Sequence, residues 1–235
     1  MGIRRIPRGK NNYWLEIKFL MTDLLIHRGI VSKNYKENLI KSFKQSFKKG
    51  YGIETDIHFT KDNEFICFHD FTLNRIFKKR VSVKNLNYSK IKEISSKNKK
   101  TIPLLKDLLK TSKKKHVLFI ELKPIFSKKL LKKLLKETSK YPKCVFISFK
   151  HENIYNLLKI KSDTKVGLSF SNSSNSKKII NKSKNKNINY LILDKIFIKN
   201  KNIQNLKIKK YYYTIKTKSE FNKYKKENNL IFENL

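Results

Sequence analysis

The stretch IETDIHF, residues 53–59, sets Glu54, Asp56 and His58 at alternate positions, with Thr55 and Ile57 between them. In an extended strand, where side chains alternate between faces, the three polar groups share one side. Two carboxylates side by side repel each other and resist burial unless a cation or hydrogen-bond donors compensate. A bound metal ion does this most economically; a half-exposed edge strand with a solvated acidic face is the other reading of this segment. A second pair, Glu121 and Lys123, ends the apolar run that begins at His116. A strand buried on both faces has no reason to finish on charged residues unless that end opens into a site. His27 and Arg28 close the apolar run LLI at 24–26 in the same way. In KDNEFICFHD, residues 61–70, Asp62 and Asn63 read as a tight turn that returns Phe65 to Phe68 beside the acidic strand and carries His69 towards the carboxylates. A histidine held structurally by Asp70 would leave the same local pattern. Together with His27, however, His69 gives two imidazoles flanking a carboxylate cluster, the arrangement that general acid–base chemistry needs near neutral pH.

Three carboxylates without a cysteine make a hard, oxygen-rich site, which favours Mg²⁺ or Ca²⁺ over Zn²⁺. Such an ion beside Arg28 and Lys123 forms a strongly positive pocket, and phosphate is the ligand that suits it. Arginine offers a planar fork for two phosphate oxygens, and lysine a movable point charge.

Elements that could gather these residues recur along the chain. Eight short apolar runs begin at residues 24, 51, 116, 144, 165, 189, 211 and 230, with helix-like segments between them. Leu39, Phe43 and Phe47 fall four apart, the spacing of one helix face, and Gly50 is a natural stop. In SKKLLKKLLKETSKY, residues 127–141, Leu130, Leu131, Leu134 and Leu135 form a stripe backed by lysines. An outer-ring helix needs that stripe, and so does a helix lying in a membrane interface. The polar segment 169–189 reads as a loop with a short helix at 177–182. Strands alternating with amphipathic helices predict an α/β fold: a (β/α)8 TIM barrel over 21–235 with a hairpin and helical insertion after strand 2. In such barrels the carboxyl ends of the strands form the active face, where His27, the Glu54–Asp56 pair and the Glu121–Lys123 pair all fall. Residues 1–20, which hold three of the six arginines, read as an N-terminal extension.

The chain has 235 residues and a formal charge of +38. Its 39% hydrophobic content is enough to build a core despite 31% charged residues, so a folded globule is expected. The charge is mostly lysine and is spread along the whole length, which fits a solvated surface better than a dedicated nucleic-acid face. Cys67 and Cys144 each lie in an apolar run and read as buried thiols. No apolar run approaches the ~20 residues of a membrane span, and FLMTDLLI at 19–26 is broken by Asp23 and lacks a small-residue cleavage site. A cytoplasmic location is therefore expected.

HRG at 27–29, EN at 37–38, G-x-E-x-D at 52–56, T-K-D at 60–62, HD at 69–70, L-N-R at 73–75, I-P-x-L at 102–105 and E-L-K at 121–123 follow one another in an order and spacing that resemble the glycerophosphodiester phosphodiesterases. Within that family the chain resembles the small bacterial-type, single-domain members. The likeness is dense from 24 to 123 and continues through ISF at 147–149 and YTI at 213–215. It implies a barrel enzyme that hydrolyses glycerophosphodiesters to glycerol 3-phosphate and an alcohol, using one divalent cation, Mg²⁺ or Ca²⁺. By matched position Glu54, Asp56 and Glu121 would hold the ion, His27 and His69 would be the acid–base pair, and Arg28 and Lys123 would hold the phosphate. Tyr213 would wall the glycerol pocket. The implied partner is a small-molecule glycerophosphodiester, with no specific nucleic acid, and with peripheral contact with an anionic membrane as a further expectation from the leucine–lysine helix. A phospholipase D-like hydrolase acting on lysophospholipid or sphingolipid at a membrane surface is the alternative reading, and a catalytically inactive basic binding protein a third.

Two departures stand out. The family's late W-T-V-N motif is Tyr213, Thr214, Ile215 and Lys216 here, and the added lysine bears on which head group fits. The family's closing Thr-Asp-x-Pro stretch is replaced by IFENL, with Glu233 in the place of the aspartate.

Overall fold

The computed structural model describes residues 23–33, 36–97 and 100–233; the expected extension at 1–20 lies outside them. β1 (Leu24–His27) leads through α1 (Ile40–Lys48) to β2 (Gly52–Phe59). β3 (Phe65–Cys67), α2 (Asn74–Phe77), α3 (Tyr88–Lys97) and α4 (Leu105–Ser112) follow before β4 (Leu118–Leu122). Strand and helix then alternate: α5 (Lys128–Thr138), β5 (Cys144–Ser148), α6 (His151–Ile160), β6 (Val166–Phe170), α7 (Ser176–Ser183), β7 (Tyr190–Asp194), α8 (Lys201–Gln204), β8 (Lys209–Ile215), α9 (Lys218–Tyr224) and β9 (Asn229–Phe232). Neighbouring strands β1, β2, β4, β5, β6, β7, β8 and β9 pair in parallel, and β9 pairs back onto β1. The sheet is thus a closed (β/α)8 barrel, and closure holds at the last strand, where the sequence departs from its relatives. β3 runs antiparallel, as the return of the expected hairpin on β2.

Alternation along the strands divides the apolar residues into two layers. Leu25, Phe119, Val145, Ile147, Ile192, Tyr211 and Ile231 fill the barrel interior. Ile26, Ile53, Ile120, Phe146 and Leu168 point outward against helix residues such as Phe43, Leu131, Leu134 and Ile154. The insertion after β2 has a small core of its own, in which Ile66, Leu73, Val83, Ile91 and Leu104 meet.

Local sequence explains the helices that matter here. In α1, Phe43 and Phe47 are buried, and the chain leaves through Gly50 at φ +81°. In α5, the Ser127 hydroxyl caps the first turn by accepting from the Leu130 N–H at 3.3 Å. Leu130, Leu131 and Leu134 are buried in the outer core and Leu135 packs at its edge. This corrects the membrane-interface reading of the helix: its leucine stripe is already covered by the barrel. Among the described residues no helix is long and apolar enough to cross a membrane. Cys67 and Cys144 are buried free thiols, and burial pushes both up, Cys144 to about 12.

The hairpin is fastened from outside. Glu64 accepts from Lys133 of α5 at 2.8 Å and from Lys106 of α4 at 3.3 Å. The Lys133 hydrogen bond, more than any other contact, holds the Glu64 carboxyl below its usual range. A depressed folded-state pKa adds stability above the unfolded-state value, and that stability is lost as acid protonates the folded form. Solvent screening of this partly exposed pair limits its worth to about 1 kcal/mol or less. Glu64→Gln is therefore expected to lower stability by no more than that at pH 7, and urea titrations should show the difference shrinking as the pH falls below the ordinary glutamate range.

Candidate active site

The inward-facing positions that fill the barrel continue, two residues further along, into its carboxyl-terminal mouth. Leu25 gives way to His27, Phe119 to Glu121, Ile147 to Phe149, Tyr211 to Tyr213 and Ile231 to Glu233. β2 contributes both Glu54 and Asp56. Parallel register fixes their neighbours, since His27 lies opposite Glu54 on β1 and Asp56 lies opposite Glu121 on β4. A cavity of about 290 Å³ opens at this end, lined by His27, Arg28, Glu54, His69, Glu121 and Lys123 on one side and by Phe149, Ser169, Tyr213 and Lys216 on the other.

Glu54, Asp56 and Glu121 are 3%, 1% and 7% exposed, and each offers an oxygen within 4.8 Å of the others. Burying three carboxylates this close is costly, and the cost is distributed unevenly. Burial, then Asp56 and Glu121, push the Glu54 carboxyl well above its ordinary range. Burial and Asp56 raise Glu121 to about 7, although Lys123 Nζ stands 2.9 Å from it. Burial opposes the charge on Asp56 too, but Arg28 and Lys123 outweigh it and bring that carboxyl down to about 2. Arg28 Nε lies 3.0 Å from Asp56 Oδ2 without the alignment of a hydrogen bond, and Lys123 Nζ lies 3.4 Å from Asp56 Oδ1. Glu54 Oε2 is buried with no hydrogen-bond partner among the described residues. A cluster short of positive charge, holding an orphaned carboxylate oxygen, fits a divalent cation bound by oxygen ligands.

Both imidazoles are held through Nδ1 by a carboxylate. His27 Nδ1 is 2.9 Å from Glu233 Oε2, and His69 Nδ1 is 2.7 Å from Asp70 Oδ1. An N–H donated there leaves Nε2 on each ring as the nitrogen free to exchange a proton. His27 Nε2 stands 3.8 Å from Glu54 Oε2. Burial holds His69 below its usual range, against the pull of Asp56. Asp70 in turn accepts from Arg75 at 2.6 and 3.1 Å, and Arg75 also pairs with Glu37, which reaches Arg28 Nη1 at 3.4 Å. His58 is buried and, kept low at about 4 chiefly by burial, donates from Nε2 to the His69 carbonyl at 3.1 Å.

All the expected residues, His27, Arg28, Glu54, Asp56, His69, Glu121, Lys123 and Tyr213, converge at this mouth. Residue chemistry alone missed Glu37, Asn38 and Arg75 as contributors. Asn38 donates to Asp56 Oδ2 at 3.4 Å and accepts from the Thr55 hydroxyl at 2.7 Å. The pairs EN and L-N-R carry no chemical spacing of their own, so only their recurrence in relatives could have marked them.

The model of the glycerophosphoryl diester phosphodiesterase family matches residues 27–230. A glycerophosphodiester phosphodiesterase from Caldanaerobacter subterraneus is 30% identical over 164 residues, covering 63% of this chain and 67% of that protein. Another from Bacillus altitudinis is 34% identical over 113 residues, covering 44% of this chain and 46% of its own length. Among solved structures, a glycerophosphodiester phosphodiesterase from Thermotoga maritima superposes with a TM-score of 0.74 at 20% identity, over 90% of this chain and 94% of that one. An Oleispira antarctica phosphodiesterase in complex with the product sn-glycerol-3-phosphate gives 0.77 at 19% identity, over 92% and 94%.

The turn that delivers Arg28 depends on the glycine after it. Arg28 and Gly29 both take positive φ, +57° and +77°, which swings the arginine back over Asp56. A Cβ on Gly29 would lie 3.0 Å from the Ser42 backbone carbon and 3.1 Å from the Phe43 ring. Gly29→Ala is expected to cost about 1–3 kcal/mol in urea denaturation, combining left-handed backbone strain with that crowding. Gly50→Ala, at φ +81° with nothing within 4 Å of the new Cβ, should cost only the backbone part, about 1 kcal/mol.

Proposed function

We propose that this chain, which belongs to the glycerophosphoryl diester phosphodiesterase family and is a phosphoric diester hydrolase, converts glycerophosphodiesters to glycerol 3-phosphate and an alcohol by two-histidine acid–base catalysis with one divalent cation. The observation that carries this reading is the meeting of three buried carboxylates with two imidazoles, each backed by its own acid. The glycerol 3-phosphate held by the Oleispira phosphodiesterase supports the same product here.

In this reading Glu54, Asp56 and Glu121 hold Mg²⁺ or Ca²⁺, which when bound would stabilise negative charge on the phosphate oxygens. Arg28 and Lys123 neutralise the rest of the phosphate. Both ammonium and guanidinium stay firmly charged, because the neighbouring carboxylates outweigh their burial. One imidazole takes the proton of the attacking water while the other delivers a proton to the leaving alkoxide, so the P–O bond that breaks is replaced by one to water. Tyr213, whose hydroxyl donates to the Phe170 carbonyl at 3.0 Å, stands against Phe149 edge to face and walls the side away from the carboxylates.

His27→Ala and His69→Ala should each lower kcat for glycerol 3-phosphate release by about 10²–10⁴-fold with circular dichroism unchanged, and EDTA should abolish activity that added Mg²⁺ or Ca²⁺ restores. Full turnover by the double histidine variant would end the proposal. Glu233, whose carboxyl the His27 hydrogen bond holds down at about 2, acts as a positioning residue. Glu233→Gln should lower kcat about ten- to hundredfold with KM nearly constant, and an equal effect on both constants would assign it a merely structural role.

A further inference from the structure

We propose that the catalytic cavity continues into a basic side compartment that receives a second phosphate, a phosphomonoester carried on the alcohol half of the diester. This inference rests on the reading of the site given above and names the substrate class that the site selects. Phe149 and Ser169 line both spaces, and beyond them lies a cavity of about 380 Å³ between the loop after β6, the start of α6 and one face of α7.

Its lining is one-sided in charge. Lys178 and Lys182 fall four apart on α7 and face the cavity together, an arrangement in which like charges on one helix face repel. No carboxylate lines the compartment among the described residues. Lys182 Nζ instead donates to His151 Nδ1 at 2.7 Å, while His151 Nε2 donates to the Ser169 carbonyl at 2.9 Å. With both nitrogens so engaged, His151 is a neutral ring and offers no counter-charge. Burial leaves the Lys182 ammonium below its usual range, as expected of a cation without a compensating anion.

A second, independent observation points to a ligand. Ser169 is 2% exposed, and its hydroxyl is buried without a hydrogen-bond partner among the described residues, on the wall shared by the two cavities. A buried hydroxyl left unpaired is costly, so a group that reaches it is favoured. Ser171 and Ser174 add hydroxyls to the same compartment. Two ammonium groups, neutral donors and no acid make a site for phosphate oxygens and repel a quaternary ammonium head.

The test compares kcat/KM of the full chain for three diesters of glycerol 3-phosphate, whose alcohols carry a phosphomonoester, a neutral hydroxyl or a quaternary ammonium. The wild type should prefer the phosphomonoester over the quaternary ammonium. Lys178→Gln/Lys182→Gln should lower kcat/KM for the phosphomonoester by about ten- to thirtyfold while leaving the neutral diester within about twofold. Lys178→Glu/Lys182→Glu should invert the preference. Unchanged preference in both variants, with the neutral diester still hydrolysed, would overturn the compartment and leave the catalytic reading intact. Failure of the wild type to hydrolyse any of the three would take both down.

Discussion

Three carboxylates packed into one corner of a barrel are the constraint from which the rest of the molecule follows. Glu54, Asp56 and Glu121 lie on adjacent strands with Asp56 and Glu121 in register, so the sheet itself holds them together. Left alone, that much buried negative charge would open the strands or draw in protons. Arg28 and Lys123 supply part of the answer, and a cation that replaces the remaining protons would supply the rest. The same electrostatic pressure explains why Arg28 sits on a turn with positive φ: the guanidinium must fold back over Asp56 instead of following the strand outwards.

A second tier holds the imidazoles. His69 is gripped by Asp70, Asp70 by Arg75, and Arg75 by Glu37, which closes the circuit onto Arg28. The charge around Arg28 and the orientation of His69 are therefore linked through one chain of ion pairs. Within a low-dielectric mouth such a network is worth more than the sum of its separate contacts. His58 contributes from below as a neutral donor to the His69 carbonyl, which fixes the hairpin return that the insertion core supports.

Much of this was legible in the sequence wherever a physical period carries the information. The apolar runs forecast the strands, and E-T-D placed two acids on one face. Leu39, Phe43 and Phe47 forecast α1. What escaped was of two kinds. The leucine stripe of α5 is ambiguous in principle, because the inside of a helical ring and the surface of a bilayer ask for the same amphipathic pattern. Contacts across long separations leave no local trace: nothing in IFENL indicates that Glu233 will meet His27, 206 residues earlier. Ser169 reads like any small strand residue until its neighbours show that its hydroxyl has been left alone.

The junction of β1 with β9 joins distant parts of the chain through the site itself. The Asp23 carbonyl accepts from the Leu230 amide at 3.1 Å, and the His27–Glu233 pair straddles that same seam. During synthesis the first half of this pair leaves the ribosome long before the second has been translated. A nascent chain halted before residue 233 would carry every carboxylate of the cluster, yet its first histidine would lack the acid that orients it. The setting of the His27 ring thus depends on β9 pairing with β1, so closing the barrel and orienting that imidazole are a single structural event.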